Sequence, residues 1–207
     1  MSRLGIAVYA FFILLFGVFC YFAHRFAYFP GDLSISLWIQ GIDFSGLKPI
    51  MQFAPYAIIL AVLIGLKLWL PSRRRAVVFI ALTALAAGLI TWLIKLLVNR
   101  PRPDIELVQI AQVILGSDFP SGHTACVTVI GGFLFYLAPR LVKTPAARGL
   151  LRALLIVIIL AVGVSRIYLG AHWASGVVGG LFLGGLLLYP AIVLYNKYDA
   201  KRGAKHA

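Results

Sequence analysis

Acidic residues are scarce in this chain: Asp and Glu number 6, against 19 Lys and Arg, in 207 residues. A net charge of +13 would suggest a nucleic-acid partner in a soluble protein. The rest of the composition argues against that class, because 62% of the residues are hydrophobic and soluble domains are nearer to about one half. We therefore predict that the partner is a bilayer and that no nucleic acid is bound.

Cysteine is also rare, and the sequence has no repeat and no low-complexity linker. Cys20 and Cys126 both fall in apolar runs, which predicts buried thiols and does not define a redox compartment. Because no linker divides the chain, residues 1–207 are predicted to form a single transmembrane domain.

The sequence does have long apolar runs. About 20 apolar residues suffice for a helix to cross a bilayer. The candidates are Leu4–Ala23, Phe53–Leu70, Ala76–Ile94, Gly122–Ala138, Leu154–Val164 and Trp173–Tyr195. We predict an all-α fold, an integral-membrane bundle of six helices. The first run lacks a small-residue cleavage site, so we interpret it as a retained span rather than a signal peptide.

Basic residues are distributed unevenly between the two sides of such a bundle. One side carries Arg3, Arg73, Arg74, Arg75, Arg140, Lys143, Arg148, Arg152, Lys197, Lys201, Arg202 and Lys205, opposed only by Asp199. The other side mixes basic residues with the remaining Asp and Glu. The positive-inside rule makes the first side cytoplasmic and puts both termini there.

The loop after the first run contains an amphipathic stretch. Ile35, Trp38, Ile39 and Ile42 fall at positions i, i+3, i+4 and i+7, which predicts one helical face. This helix could lie on the outer leaflet or pack on the bundle, and the pattern does not choose between the two.

Three polar clusters fall on the outer side. They are KLLVNRPRP with Lys95 and Arg102, PSGH at 120–123, and SRIYLGAHW with Arg166 and His172. Taken singly, each has a plain explanation: a snorkelling lysine, a solvated loop around Arg100 and Arg102, a helix cap or an interfacial anchor. Together they put several ionisable side chains at one membrane depth, where such groups are costly and usually functional.

These clusters suit a phosphate group. Three cations in a partly dry site repel one another unless an anion joins them, and phosphate offers charge and several acceptor oxygens. A helix that begins at Ser121-Gly122 would add backbone N–H groups and allow close approach. One histidine could attack the phosphoryl group while the other protonates the leaving oxygen. No His/carboxylate cluster has metal-ligand spacing, so we predict neither a metal nor another cofactor.

The pattern resembles the type-2 phosphatidate phosphatase superfamily, which also includes soluble vanadium haloperoxidases and acid phosphatases. Its signature, K-x6-RP, PSGH and SR-x5-H-x3-D, spans residues 95–176 and is matched at every motif position except the last. The resemblance implies that His172 is the nucleophile, forming a phosphohistidine, and that His123 protonates the leaving group. The implied phosphate ligands are Lys95, Arg102, Ser121, Gly122 and Arg166.

The resemblance also implies a function. We expect a phosphatase of the bacterial inner membrane, with its active site facing the periplasm. The expected substrates are lipid phosphates or pyrophosphates of the outer leaflet, such as phosphatidylglycerophosphate, undecaprenyl pyrophosphate, lipid A or phosphatidate. A lipid-to-lipid phosphotransferase and a non-catalytic lipid-phosphate binder are the alternatives. No protein partner is evident.

One position departs from the signature. The final Asp should lie four residues after His172, where this chain has Gly176. On this basis His172 is expected to lose the acid that orients it, turnover is expected to be impaired, and Gly176→Asp is expected to raise it. Asp104, Glu106 or Asp118 could substitute from the outer loop, and the sequence does not choose among them.

Overall fold

The computed structural model describes residues 3–53, 64 and 74–203, and the regular secondary structure of these residues is helical, with no β-strand. The helices are α1 (Arg3–Arg25), α2 (Asp32–Gln40), α3 (Arg74–Val98), α4 (Gly122–Leu141), α5 (Pro145–Tyr168) and α6 (Ala174–Gly203), with a 3₁₀ turn at Ser45–Leu47. The all-α prediction is confirmed for these ranges.

Within the described part of the chain, five helices are long and apolar enough to cross a membrane. They are α1, α3, α4, α5 and α6. The predicted second span, Phe53–Leu70, falls almost entirely outside the described residues, so the count of six remains a prediction. The fifth apolar run was too short, because α5 extends beyond Leu154–Val164 at both ends. Pro145 suits the first turn of this helix, where its missing N–H is not needed.

Helix α4 lies at the centre of the bundle and contacts α3, α5 and α6. Its inward face buries Ile130, Phe133 and Leu137 against Ile80 of α3 and Tyr195 of α6. Apolar burial is a weak driving force between helices surrounded by lipid, so close packing holds such a bundle together. The central position of α4 fixes the place of its N-terminal turn, which carries the PSGH sequence.

Glycines allow α6 to approach α4 closely. Gly176, Gly180 and Gly184 recur every four residues and therefore share one helical face. A Cβ atom on Gly180 would lie 2.5 Å from the Ser121 carbonyl oxygen, and one on Gly184 would lie 2.6 Å from the Cβ of Thr128. Side chains would not fit here, so the two backbones are in direct contact.

Helix α2 contacts the C-terminal end of α5 and the N-terminal end of α6. Ile39 is buried against Ile167 and Tyr168, whereas Trp38 is 72% exposed and Ile35 is also exposed. The predicted helix is therefore present, but it ends at Gln40, before Ile42, and only Ile39 of the predicted apolar face is buried. It packs on the bundle through Ile39 and presents Trp38 outward.

Candidate active site

A cavity of about 370 Å³ opens where α3 ends and α4 begins. Its walls include five of the seven predicted site residues: Lys95, Arg102, Gly122, His123 and His172. The remaining wall is largely apolar, with Gly88, Ile114, Leu115 and Cys126. Residues from the three separated motifs thus line one cavity.

Two cations reach this cavity from the end of α3 and the segment that follows. Lys95 lies in the last turn of α3, and its ammonium donates to the Ser117 carbonyl. Arg102 donates through Nε to the Gly116 carbonyl at 2.9 Å and through Nη1 to the Ala171 carbonyl. Pro101 and Pro103 disfavour helical backbone, and this non-helical segment carries Arg102 back over the site.

His172 lies in the short connection between α5 and α6 and is almost fully buried. Its Nδ1 lies 3.0 Å from Oδ1 of Asp118. A carboxylate can only accept, so we assign the proton to Nδ1. The lone pair on Nε2 then faces the cavity, 3.3 Å from Nη1 of Arg102.

Burial lowers the pKa of His172 to about 4; Arg102 and Lys95 act in the same direction and Asp118 opposes them. The ring is therefore neutral at pH 7. Neutral imidazole with an unprotonated Nε2 is a competent nucleophile.

Asp118 supplies the acid that the sequence left unassigned. Its carboxylate is fully buried and also accepts a bond from the Trp173 N–H at 3.0 Å. Asp104 and Glu106 are exposed and lie elsewhere on the loop. The expectation that Gly176 leaves His172 without an orienting acid is therefore wrong, because Asp118 occupies that place.

The first turn of α4 carries the PSGH residues. Ser121 is the N-cap residue, but its hydroxyl accepts a bond from Thr124 at 3.0 Å and does not cap the helix. Its side chain is fully buried and is not among the residues that line the cavity. Gly122 and His123 do line it. Helix N-termini favour anions, and no acidic residue lies in this first turn.

Arg166 lies behind the cavity wall and not on it. The guanidinium is fully buried; it donates to the Gln112 side chain at 3.0 Å and to the Met51 carbonyl. It is close enough to interact electrostatically with His123. The structure therefore brings Arg166 close to His123, although Arg166 does not line the cavity.

Sequence reasoning missed Arg100, which it treated as part of a solvated loop. Arg100 is buried and bonds to Asp32 at 2.8 Å, to Ser175 at 2.7 Å and to Asp118 at 3.3 Å. Its partners are 18 to 75 positions away in the chain, so no local pattern reports them.

The profile of the PAP2 superfamily matches residues 76–200. This chain belongs to the PAP2 superfamily. The matched region contains all three motifs and both cavity histidines, so the PAP2 assignment rests on the same residues as the cavity.

Relatives of known identity support the PAP2 assignment. Over 119 residues the chain is 35% identical to phosphatidylglycerophosphatase B of Bacillus subtilis (strain 168), covering 55% of this chain. The match spans about half of that relative, 53% of its length.

Two solved structures share the fold. The transmembrane PAP2 type phosphatidylglycerolphosphate phosphatase from Bacillus subtilis superposes with a TM-score of 0.75 and 23% identity, covering 93% of this chain and 96% of that one. Aquifex aeolicus LpxE gives a TM-score of 0.63 and 22% identity, covering 77% and 93%.

Proposed function

We propose that this PAP2 protein is an integral-membrane phosphatase that hydrolyses the phosphomonoester or pyrophosphate of a lipid at the outer leaflet. One observation carries the proposal. His172 is neutral, its Nδ1 is held by Asp118, and its Nε2 faces a cavity that also contains Lys95, Arg102 and His123. A nucleophile, a proton donor and an anion site are thereby combined.

In the first step, Nε2 of His172 attacks phosphorus and forms the N–P bond of a phosphohistidine. The bond from phosphorus to the lipid oxygen breaks, and His123, which takes up a proton beside the bound phosphate anion, gives that proton to the leaving oxygen. Asp118 supports the positive charge that develops on the His172 ring. Lys95 and Arg102 stabilise the negative charge on the phosphoryl oxygens.

In the second step, water attacks the phosphohistidine. His123, now neutral, accepts a proton from that water, the N–P bond breaks, and inorganic phosphate leaves. His172 returns to its neutral form and His123 to its protonated form. These side chains supply all the required charge, so we propose that turnover needs no divalent metal.

The cavity favours a lipid over a soluble phosphate ester. From the two histidines its wall continues down α3 and α4 to Gly88 and Cys126, which face the apolar interior. An acyl chain can follow this wall while its headgroup lies at Lys95 and Arg102. The curated relative is named for phosphatidylglycerophosphate, which makes that lipid the first substrate to test.

The charge distribution supports an active site on the outer side. The cavity lies where α3 and α5 end and where α4 and α6 begin. The opposite ends carry most of the Lys and Arg residues, including Arg140, Lys143 and Lys197. By the positive-inside rule that end is cytoplasmic. We propose an inner-membrane location with the cavity facing the periplasm.

A phosphate-release screen tests the function. Purified protein is offered phosphatidylglycerophosphate, phosphatidate, undecaprenyl pyrophosphate and lipid A. We expect release from at least one, and none from the His172→Ala variant with the same thermal midpoint. Release that requires an added lipid acceptor would indicate the phosphotransferase. Phosphate release from none of the four by folded protein would refute the proposal.

A further inference from the structure

We propose that Asp118 and Gly176 form an exchanged pair: the acid that positions His172 has moved to the loop before α4, and Gly176 provides the room for it. Asp118 is thus a positioning residue, and Gly176 is a requirement of the reaction and not a defect. The inference rests on the proposed function only in taking His172 as the nucleophile.

The Asp118 carboxylate fills the space that a side chain at position 176 would need. A Cβ atom built on Gly176 would lie 2.7 Å from Oδ2, 3.1 Å from Oδ1 and 3.2 Å from Cγ of Asp118. Any side chain at position 176 would therefore meet the whole carboxylate and not merely its edge. Asp118 can take its place only beside a glycine.

The Asp118 carboxylate is held in place through both of its oxygens. Oδ1 accepts from the Trp173 N–H and lies against Nδ1 of His172, both at 3.0 Å, while Oδ2 lies 3.3 Å from Arg100. Moving Asp118 away would break contacts on both oxygens in a fully buried site, where an unpaired carboxylate is costly.

Helix α6 is also held in place, by contacts with Ser121. The Gly176 carbonyl accepts a bond from the Ser121 N–H at 2.9 Å. One turn further along, the backbone at Gly180 is already in contact with the Ser121 carbonyl. A retreat of α6 from Asp118 would pull the first turn of α4 out of place.

Positions 118 and 176 can supply a carboxylate to the same place. Residue 176 lies in the first turn of α6, directly after the connection that carries His172. The Cα–Cβ direction of residue 176 points at the place where the Asp118 carboxylate lies. Either position can therefore deliver a carboxylate to Nδ1. Both together would force two negative charges into one buried place, where they repel.

A buried cation holds the relocated acid. Arg100 lies between Asp118 and Asp32, and the Ser175 N–H and hydroxyl both donate to Asp32, at 2.7 and 2.6 Å. Two carboxylates against one guanidinium leave one net negative charge beside His172. That charge matches the positive charge which the ring acquires when Nε2 attacks phosphorus.

A double-mutant cycle tests the exchange by kinetics. We expect Asp118→Asn to lower kcat by about 10³–10⁴, as for the equivalent change in a Ser-His-Asp triad. Gly176→Asp should lower kcat in the wild-type background and raise it at least about tenfold in the Asp118→Ala background, a reversal of sign that independent sites do not show. Asp104→Asn, the same chemical change on an exposed acid, should leave kcat unchanged.

Nitrogen-15 NMR of histidine-labelled protein tests the same exchange without turnover, with His172→Ala assigning the signal. We expect the Nδ1–H form of His172 in the wild type, its loss in Asp118→Ala, and its return in the double variant. If Asp118→Ala does not fold, Asp118→Asn replaces it in the NMR measurement, because asparagine keeps the shape of the side chain.

Two results would overturn the inference. One is an Nδ1–H signal that persists when Asp118 is replaced. The other is Gly176→Asp acting in the same direction in both backgrounds. A wild type that shows the signal and releases phosphate from no lipid would refute the proposed function and leave the positioning of His172 supported.

Discussion

Replacing Arg100 with methionine should cost far more stability than its position in a loop suggests. The side chain is completely buried and lies 2.8 Å from Asp32 and 3.3 Å from Asp118, which are 3% and 0% exposed. It also bonds to Ser175 and to the Phe26 and Ala27 carbonyls. Removing one partner of a buried ion pair costs about 3–5 kcal/mol, because the remaining charge is left uncompensated.

Thermal unfolding in detergent, followed by circular dichroism, measures this loss. For a chain of this size about 3–5 kcal/mol corresponds to a fall in Tm on the order of 10 °C. Arg140→Met is the matched control, since its ion pair with Asp199 is 38% and 43% exposed and such pairs contribute about 0–1 kcal/mol. Equal, small shifts in Tm for Arg100→Met and Arg140→Met at neutral pH would refute this account of the buried network.

Three further predictions concern the cavity and its surroundings. Chelation with EDTA should leave phosphate release nearly intact, and a collapse that magnesium restores would contradict the proposed mechanism. Gly88→Leu, which fills open space on the cavity wall, should raise KM several-fold for long-chain lipids and little for short-chain analogues. Gly17→Leu on the exposed surface of α1 is its control, and equal effects on both chain lengths would count against lateral lipid entry. With Cys20 and Cys126 replaced by alanine, an impermeant thiol reagent outside the cell should label Asp104→Cys and spare Thr144→Cys; the reverse pattern would invert the orientation.

The sequence was informative where a local pattern carries the information. Apolar runs long enough for a bilayer predict the helices, and α5 shows their limit: Arg148 and Arg152 interrupt the run and yet lie within the helix. Basic residues near helix ends keep their charged groups at the interface, so the run ends before the helix does.

The acid on His172 shows what a local pattern cannot report. Asp118 and His172 are 54 positions apart, and their contact depends on how α4 packs against α6. The family signature expects an acid at position 176 and therefore treats Gly176 as a missing residue. In the folded chain Asp118 supplies the acid instead. Arg100 was misjudged for the same reason, because its partners Asp32 and Ser175 come from opposite ends of the chain.

The glycine contact between α4 and α6 has a mechanical consequence for lipid access. At Gly180 and Gly184 only the short side chains of Thr124 and Thr128 lie between the two backbones, so we expect His123 and His172 to move together. On the opposite wall, a Cβ on Gly88 of α3 would meet nothing within 4 Å. We therefore expect the cavity to widen for a bulky lipid by movement of α3, which carries Lys95. The headgroup can be admitted by a movement of α3 that leaves the distance between nucleophile and proton donor unchanged.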